Sequence, residues 1–246
     1  MHRFFVGRGQ FTPPQITISG SDVAHIRKVL RLKPGDRIEV VDEEGGLYAV
    51  QLEQVEVDRV RGEVIGKIPT AAPQGLAITI AQAVPKGDKM DWIVQKATEL
   101  GVSRIVPLLS ERVIVRLNPA LEARRVARWE KLALEAAKQC KRLSVPQISR
   151  FLSLDVFCQE REAQDLGLIL WEGETATRLR SVLAEAKRGG NLSVIIGPEG
   201  GFSDSEVETA RSRGFRPVTL GSRILRTETV ALSVLSVLQY ELGDFG

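Results

Sequence analysis

Cysteine and histidine are scarce in this sequence, and their scarcity argues against several kinds of functional site. The 246 residues include two cysteines, Cys140 and Cys158, and two histidines, His2 and His25. The cysteines form no CxxC pair, so neither a disulfide framework nor a zinc site is expected. Two histidines also disfavour a histidine-rich metal centre and a histidine-based catalytic triad. We therefore expect a protein that holds no metal.

Long apolar runs are absent, and neither sign of charge dominates. No apolar segment reaches the length that spans a bilayer. The first residues also lack the pattern of a signal peptide, in which a positively charged segment precedes an apolar run. We therefore expect a soluble, cytoplasmic protein with no membrane contact. The net charge of +3 is a weak indication of a nucleic-acid partner, because 31 acidic residues accompany the basic ones.

The sequence also lacks the motifs of common nucleotide-binding and hydrolytic enzymes. The run GPEGG at 197–201 is followed by Phe202, whereas a P-loop would continue with lysine. Its glycine spacing does not match the dinucleotide pattern GxGxxG, and Glu199 places a negative charge where a phosphate would bind. No GxSxG motif is present. These absences disfavour P-loop and nicotinamide enzymes.

Residues 1 to about 70 predict a small β-rich module. Alternating apolar and polar residues favour strands at 3–6, 15–19, 37–42 and within 47–64, separated by turn sequences. One short helix is predicted over 22–30, with Val23, Ile26, Val29 and Leu30 on its apolar face. We interpret this module as a barrel and the segment 69–75 as the linker that follows it.

From residue 76 onward, predicted strands alternate with predicted helices. The strands lie at 77–84, 105–109, 166–171, 192–196 and 217–220, and the helices at 88–100, 120–140, 176–187 and from 229 onward. Ser203 and Glu206 have the spacing of a capping box, which predicts one more helix start. This alternation is typical of a mainly parallel sheet with helices on both faces.

Two glycine-bearing loops, 197–201 and 221–226, indicate where a ligand would bind. Each follows a predicted strand and precedes a predicted helix. Small ligands bind parallel α/β sheets in the crevice beyond the carboxyl ends of the strands. Taken alone, the first loop is better explained as a tight turn. The two loops together favour a ligand site.

Sequence motifs distributed over the whole chain resemble those of one enzyme family. They are RFFV at 3–6, HIRKVLR at 25–31, KPGD at 33–36, KGDKMDWIVQKATELGV at 86–102, SERVIV at 110–115 and QCKRLSVPQI at 139–148. The most specific pair is IIGPEGGFSDSEVE at 195–208 and LGSRILRTETVAL at 220–232. In this order, the motifs resemble the RsmE family of small-subunit ribosomal RNA uracil-N3 methyltransferases, in the SPOUT superfamily.

The resemblance implies an α/β protein of two domains. A PUA-like β-barrel RNA-binding domain would occupy residues 1–72, and a SPOUT methyltransferase domain residues 73–246. The second would hold a mainly parallel sheet and a trefoil knot near the C-terminus, a topology that is rare among folds. The knot loops would bind S-adenosylmethionine in a bent form.

The resemblance also implies the partners. The substrate would be small-subunit ribosomal RNA, within the assembled subunit, so the enzyme would act in ribosomal RNA processing and ribosome biogenesis. The family acts as a homodimer, with RNA between the barrel of one subunit and the knot of the other. The chemistry requires no metal.

Motif by motif, the resemblance assigns two catalytic residues. Arg226 would stabilise the developing uracil anion or hold an RNA phosphate. Glu199 would hydrogen-bond to uracil or accept its N3 proton, for which burial would have to raise the carboxyl pKa. Alternatively, Glu199 caps the following turn, or Arg226 forms a salt bridge with Glu199 or Glu228.

Two further sets of residues follow from the same motifs. The cofactor would lie against backbone and apolar side chains, and glycine is needed where a Cβ would collide with it. The cofactor-binding set is Leu170, Gly197, Gly200, Gly201, Leu220, Gly221, Ile224 and Leu225, although core packing explains Ile224 and Leu225 nearly as well. The RNA-binding set is Arg3, His25, Lys28, Arg31, Lys33 and Lys86.

One position departs from the family pattern, and two other functions remain open. Val230 stands where family members often have alanine in the motif RTETA, so its role as a contact is not assigned. The first alternative function is a SPOUT methyltransferase that acts on another RNA target, such as a ribose 2′-hydroxyl. The second is an RNA-binding assembly factor without catalysis. The residues alone do not identify the group that removes the uracil N3 proton, or the nucleotide that is methylated.

Overall fold

The computed structural model describes residues 1–70, 75–112, 118–160, 165–186 and 189–245. The chain forms two compact units. One comprises Met1–Ala72 together with Ala137–Ser144, and the other comprises Pro73–Ala136 together with Val145–Gly246. Most of the predicted linker 69–75 lies outside the described residues.

The first unit is built on a six-stranded sheet. The strands are β1 (Arg3–Phe5), β2 (Phe11–Thr12), β3 (Gln15–Ser19), β4 (Arg37–Val41), β5 (Leu47–Val55) and β6 (Arg59–Ile68). They lie in the order β1-β4-β5-β6-β3-β2; β1 pairs with β4 in parallel, and all other pairs are antiparallel. The predicted stretch 47–64 is thus a hairpin of two strands. Alternating buried side chains such as Ile16, Ile18, Ile38 and Val40 form the core.

The short helix of this unit differs from its predicted form. It consists of α1 (Ser21–Ala24) followed by a π-helical turn at His25–Val29. Val23 and Ile26 are buried as predicted, but Val29 is 65% exposed, so its assignment to the apolar face is wrong. The physical reason is the wider turn, in which Leu30 N–H donates to His25 O five residues back and the 3.6-residue periodicity fails.

The second unit contains a seven-stranded sheet in which every pairing is parallel. Its strands are β7 (Leu76–Ala83), β8 (Arg104–Leu109), β9 (Gln147–Ile148), β10 (Leu152–Ser153), β11 (Leu166–Leu170), β12 (Gly190–Ile196) and β13 (Arg216–Val218). Their order is β10-β8-β7-β12-β11-β13, with β9 beside β8. The predicted parallel α/β sheet is confirmed.

Helices cover both faces of this sheet. They are α2 (Lys89–Glu99), α3 (Pro119–Gln139), α4 (Leu154–Gln159), α5 (Leu179–Ala184), α6 (Asp204–Ser212) and α7 (Thr227–Leu242). Side chains of α2, α5 and α7 share one buried cluster with the strands, and side chains of α4 and α6 share another. Two cores on opposite faces follow from strands that are apolar on both sides.

Two helices begin two or three residues away from their predicted starts. The helix predicted from 176 begins at Leu179, because the Glu174 carboxylate accepts the N–H groups of Ala176 and Thr177. Thr219 N–H then donates to Thr177 O, which keeps this segment extended beside β13. The last helix begins at Thr227 rather than at 229. Within the part of the chain that the structure describes, no helix is long and apolar enough to cross a membrane.

Candidate active site

The candidate site lies where β11, β12 and β13 end, at one edge of the parallel sheet. Because parallel strands share their carboxyl edge, the loops that follow these three strands are neighbours. The first begins after Leu170, the second is 197–203, and the third is 219–226. The structure therefore brings the two glycine loops and the weaker candidate Leu170 to the same edge.

The second loop is a tight turn that leads into α6. Gly201 N–H donates to Pro198 O, and Gly201 has a φ of +68°, which favours glycine. Ser203 Oγ accepts from Glu206 N–H, and Glu206 Oε2 accepts from Ser203 N–H, so the predicted capping box is confirmed.

The glycines of this loop meet different surroundings. A Cβ on Gly200 would make only ordinary contact with Arg112 at 3.6 Å, so a methyl group fits there without collision. A Cβ on Gly201 would collide with the Glu172 carboxylate from the loop after β11. A Cβ on Gly197 would lie 3.2 Å from the Phe202 ring, which is slightly too close. Space for a ligand is therefore clearest at Gly200, and Gly201 is needed for the turn itself.

The third loop offers an apolar surface beside an open backbone. Gly221 has a φ of +120°, and nothing lies within 4 Å of where its Cβ would be. Leu220 and Leu225 are partly buried, whereas Ile224 is 90% exposed. The core-packing alternative is therefore wrong for Ile224. An isoleucine held almost fully in solvent is available to cover a bound apolar group, because covering it would remove that surface from water.

Leu170 is the last residue of β11 and is 8% exposed. Its side chain belongs to the buried cluster on the α7 face of the sheet. Only a small part of it can therefore face a ligand at this edge.

Glu199 forms its salt bridge with a residue that the sequence did not indicate. Its Oε1 accepts from Lys89 Nζ at 2.8 Å and from the Lys86 backbone N–H at 3.2 Å. Burial acts to raise the pKa of this carboxyl, but the hydrogen bonds from Lys89 and from backbone N–H groups outweigh it and hold the pKa below its ordinary value. The raised pKa that a general base would need is therefore absent, and Glu199 is an ionised acceptor.

Lys89 lies between two carboxylates. Besides its bond to Glu199, its Nζ lies 3.5 Å from Glu228 Oε2 in the first turn of α7. The hydrogen bond to Glu199 raises the pKa of Lys89, so the ammonium stays charged. This ion pair joins the start of α2 to the second loop and to α7.

Arg226 occupies the N-cap position of α7 and is exposed. The alternative salt bridges of Arg226 are not formed, since Glu199 and Glu228 both lie beside Lys89. Among the described residues the Arg226 guanidinium has no hydrogen-bond or ion-pair partner. Arg226 thus presents an uncommitted positive charge beside the glycine loops, which is the property that an anion-stabilising group needs.

Sequence reasoning missed a buried polar chain beneath the site. Gln82 Nε2 donates to Thr227 Oγ1 at 2.9 Å, and Thr227 Oγ1 donates to Gly197 O at 2.7 Å. Gln82 is fully buried and Thr227 is 5% exposed. The one signal that could have found these hydrogen bonds is a glutamine near the end of the mainly apolar strand β7.

The predicted RNA-binding residues differ in how available they are. His25, Lys28, Arg31 and Lys33 are exposed on the first unit, and Lys86 is exposed on the second. The Arg3 side chain, in contrast, is 8% exposed and forms a 2.7 Å salt bridge with Glu39. It also donates to the backbone carbonyls of Lys141 and Arg142. Arg3 is therefore committed to holding its own unit together.

Across the described ranges, no three or more histidine, cysteine, aspartate or glutamate side chains are grouped so that they could bind a metal ion.

Comparison with known proteins identifies both units. A family model described as "RNA methyltransferase domain" matches residues 72–239, and one described as "RNA methyltransferase PUA domain" matches residues 18–65. The chain is 33% identical over 233 residues to ribosomal RNA small subunit methyltransferase E of Bacillus subtilis, covering 93% of this chain and 91% of that protein.

Solved structures agree with these sequence matches. The structure of ribosomal RNA small subunit methyltransferase E from Neisseria gonorrhoeae, bound to S-adenosyl methionine, has a TM-score of 0.88 at 31% identity and covers 100% of both chains. A methyltransferase structure from Legionella pneumophila with bound SAM has a TM-score of 0.87 at 32% identity, covering 97% of this chain and 96% of that one. This chain therefore belongs to the ribosomal RNA small subunit methyltransferase E family.

Proposed function

We propose that this protein transfers a methyl group from S-adenosylmethionine to N3 of a uridine in small-subunit ribosomal RNA. The observation that carries the proposal is the carboxyl edge of the parallel sheet. Adjacent loops at this edge carry an open glycine backbone, an exposed apolar side chain and the uncommitted Arg226. The relatives of this chain are small-subunit ribosomal RNA methyltransferases.

The residues present fit this cofactor. Gly200 and Gly221 leave the space that a Cβ would fill, so flat groups can approach the backbone there. Leu220, Leu225 and the exposed Ile224 supply apolar contacts of the kind that adenine stacks against. Bound here, S-adenosylmethionine would supply a methyl group that its positive sulfonium makes electrophilic.

The reaction requires the uracil N3 to lose its proton as it gains the methyl group. Arg226 stabilises the negative charge that develops on uracil, since a guanidinium with no other partner is available to pair with a nearby anion. Ionised Glu199, held by Lys89, fixes the loop and is an acceptor for a donor group on the ligand. Alignment of the two reactants supplies several kcal/mol of the barrier reduction.

RNA binding is assigned to the exposed basic side chains of the first unit. His25, Lys28, Arg31 and Lys33 lie close together in sequence and are accessible to phosphates. Uracil N3 is on the Watson–Crick edge, so the target base must be unpaired when it reacts. We assign residues 1–72 to the RNA-binding domain and 73–246 to the methyltransferase domain with its trefoil knot.

The enzyme would act in the cytoplasm, as a homodimer, on the assembled subunit. Support for the dimer comes from α2 and α7, which pack together and leave large apolar side chains in solvent. Trp92, Val237 and Tyr240 are 42%, 38% and 62% exposed. Apolar surface of this kind is commonly buried against a partner.

The test is to incubate the protein with labelled S-adenosylmethionine and unmethylated small ribosomal subunits, and to identify the labelled nucleoside after digestion. Label in 3-methyluridine is the expected result. Label in a 2′-O-methylated nucleoside would show that the proposed cofactor is right and that the target atom is the ribose 2′ oxygen instead of uracil N3. If the protein binds cofactor but labels neither subunits nor naked RNA, the enzymatic proposal fails.

A further inference from the structure

A buried hydroxyl joins three parts of the candidate site. Thr227, the first residue of α7, donates to Gly197 O at 2.7 Å and accepts from Gln82 Nε2 at 2.9 Å. Gln82 Nε2 donates at the same time to Ala83 O at 2.9 Å. The carbonyl at the start of the glycine loop is thus tied to the end of β7 and to the start of α7.

The donor and acceptor of each of these hydrogen bonds follow from the groups at the two ends of the series. A carbonyl oxygen can only accept, so the single Thr227 hydroxyl proton must point at Gly197 O. The hydroxyl must then accept from Gln82, which can offer only its NH2 group. Ala83 O imposes the same orientation on the amide, so a flipped glutamine would place an oxygen against two acceptors.

This arrangement leaves one group unsatisfied. Gln82 Oε1 is buried and accepts no hydrogen bond among the described residues. A buried polar atom without a partner is unfavourable, and native proteins carry few of them. An apolar side chain of similar size at position 82 would avoid this unfavourable burial. The glutamine is therefore poorly explained by packing alone, and its NH2 group must have a use.

Resting on the function proposed above, we infer that Thr227 and Gln82 are positioning residues that hold the Gly197 carbonyl, and with it the loop 197–201, in the shape that receives the adenosine part of the cofactor. The other side-chain ties of this loop among the described residues are the bond from Arg112 to Gly200 O and the bonds that Glu199 accepts from Lys89 and from Lys86 N–H. All of them are exposed to water. A buried bond is stronger than an exposed one, because water does not compete for its groups. The part-buried Thr227 bond is therefore the tie of this loop that is best shielded from water.

The first test compares S-adenosylmethionine affinity by calorimetric titration in three variants. Thr227→Val keeps the side-chain shape but removes the hydroxyl, and its dissociation constant should rise about tenfold, equivalent to about 1.4 kcal/mol. Thr227→Ser restores the hydroxyl and should bind within about threefold of wild type. Thr229→Val makes the same chemical change at an exposed position of the same helix and should bind as wild type.

The second test separates positioning from general stability. For Thr227→Val, the KM for the cofactor should rise while kcat recovers at saturating cofactor, because bound ligand restores the loop shape. Gln82→Met removes both the donor and the unpaired oxygen, so affinity should fall about threefold while the thermal midpoint stays near that of wild type. This second variant keeps the inference testable if Thr227→Val folds poorly.

The outcomes are distinct for the two proposals. If wild type binds the cofactor and both Thr227→Val and Gln82→Met bind it equally well, the positioning role is refuted while the proposed function stands. If serine at position 227 fails to restore the affinity that valine loses, the hydroxyl is not responsible and the inference also fails. If wild type itself does not bind S-adenosylmethionine, the proposed function fails first.

Discussion

Replacement of Gly201 by alanine should destabilise the protein and weaken cofactor binding. Gly201 has a φ of +68°, a left-handed conformation that costs a residue with a Cβ roughly 1–2 kcal/mol. The new methyl group would also meet the Glu172 carboxylate, but Glu172 is exposed and can swing away at small cost. The backbone term therefore dominates, and for a chain of this size it lowers the thermal midpoint by roughly 2–8 °C.

Two glycines provide matched controls for this variant. Gly190, at the start of β12, has a φ of +88° and no atom within 4 Å of where a methyl group would lie, so Gly190→Ala should lose similar stability and keep wild-type cofactor affinity. Gly200→Ala introduces ordinary contacts at 3.6 Å without a positive φ, so it should keep its stability. If the cofactor approaches the backbone at position 200, Gly200→Ala should still bind S-adenosylmethionine more weakly than wild type.

Thermal unfolding and calorimetric titration with S-adenosylmethionine measure the two effects separately. We expect Gly201→Ala to lower both the thermal midpoint and the cofactor affinity. Gly190→Ala should lower the thermal midpoint alone, and Gly200→Ala should lower the affinity alone. A wild-type midpoint for Gly201→Ala would refute the conformational argument. Wild-type affinity in both Gly200→Ala and Gly201→Ala would refute the placement of the cofactor on this loop.

Four further predictions concern charged residues. Arg226→Ala should abolish methyl transfer but keep cofactor affinity within a few-fold, because its guanidinium is uncommitted in the structure; a collapse of affinity in calorimetry would contradict this role. Arg31→Ala should lower the slope of log RNA affinity against log salt by about one. Arg3→Ala should instead lower stability by roughly 3 kcal/mol, because it leaves Glu39 without its buried partner; an unchanged midpoint in denaturation would argue against this. Since the Glu199 pKa is lowered from 4.5, its ion pair with Lys89 stabilises the fold above about pH 4.5 and is lost as the pH falls through the lower folded value. The stability difference between wild type and Glu199→Gln should therefore shrink on acidification, and a difference that grows would show the sign to be wrong.

Much of the second unit was predictable, because its signals are local. Apolar runs and helical spacing depend on residues a few positions apart, so five of the parallel strands and most of the helices follow from the sequence with small shifts at the ends. The short elements β9, β10 and α4 were not predicted. The capping box of Ser203 and Glu206 is equally local, since the two partners lie three residues apart. The order of the motifs along the chain is enough to indicate the family.

The partners of the site residues were not predictable in this way. A salt bridge between Glu199 and Arg226 was one alternative that the sequence left open, whereas the fold pairs Glu199 with Lys89, from a helix 110 residues earlier. Arg3 belongs to a motif that suggested RNA contact, but the tertiary structure buries it against Glu39. Position in a motif indicates that a residue matters, but it does not indicate which atom it contacts.

The sequence by itself determined the fold class, the edge of the sheet that carries the loops and the family, because these depend on periodicity, turn chemistry and motif order. Only the tertiary structure decided the ionisation of Glu199, the freedom of Arg226 and the bond between Gln82 and Thr227, which lie 145 residues apart. The physical reason is that pKa values and buried hydrogen bonds depend on distance and burial in space. The shift in pKa and the buried hydrogen bond arise only when folding brings these groups together.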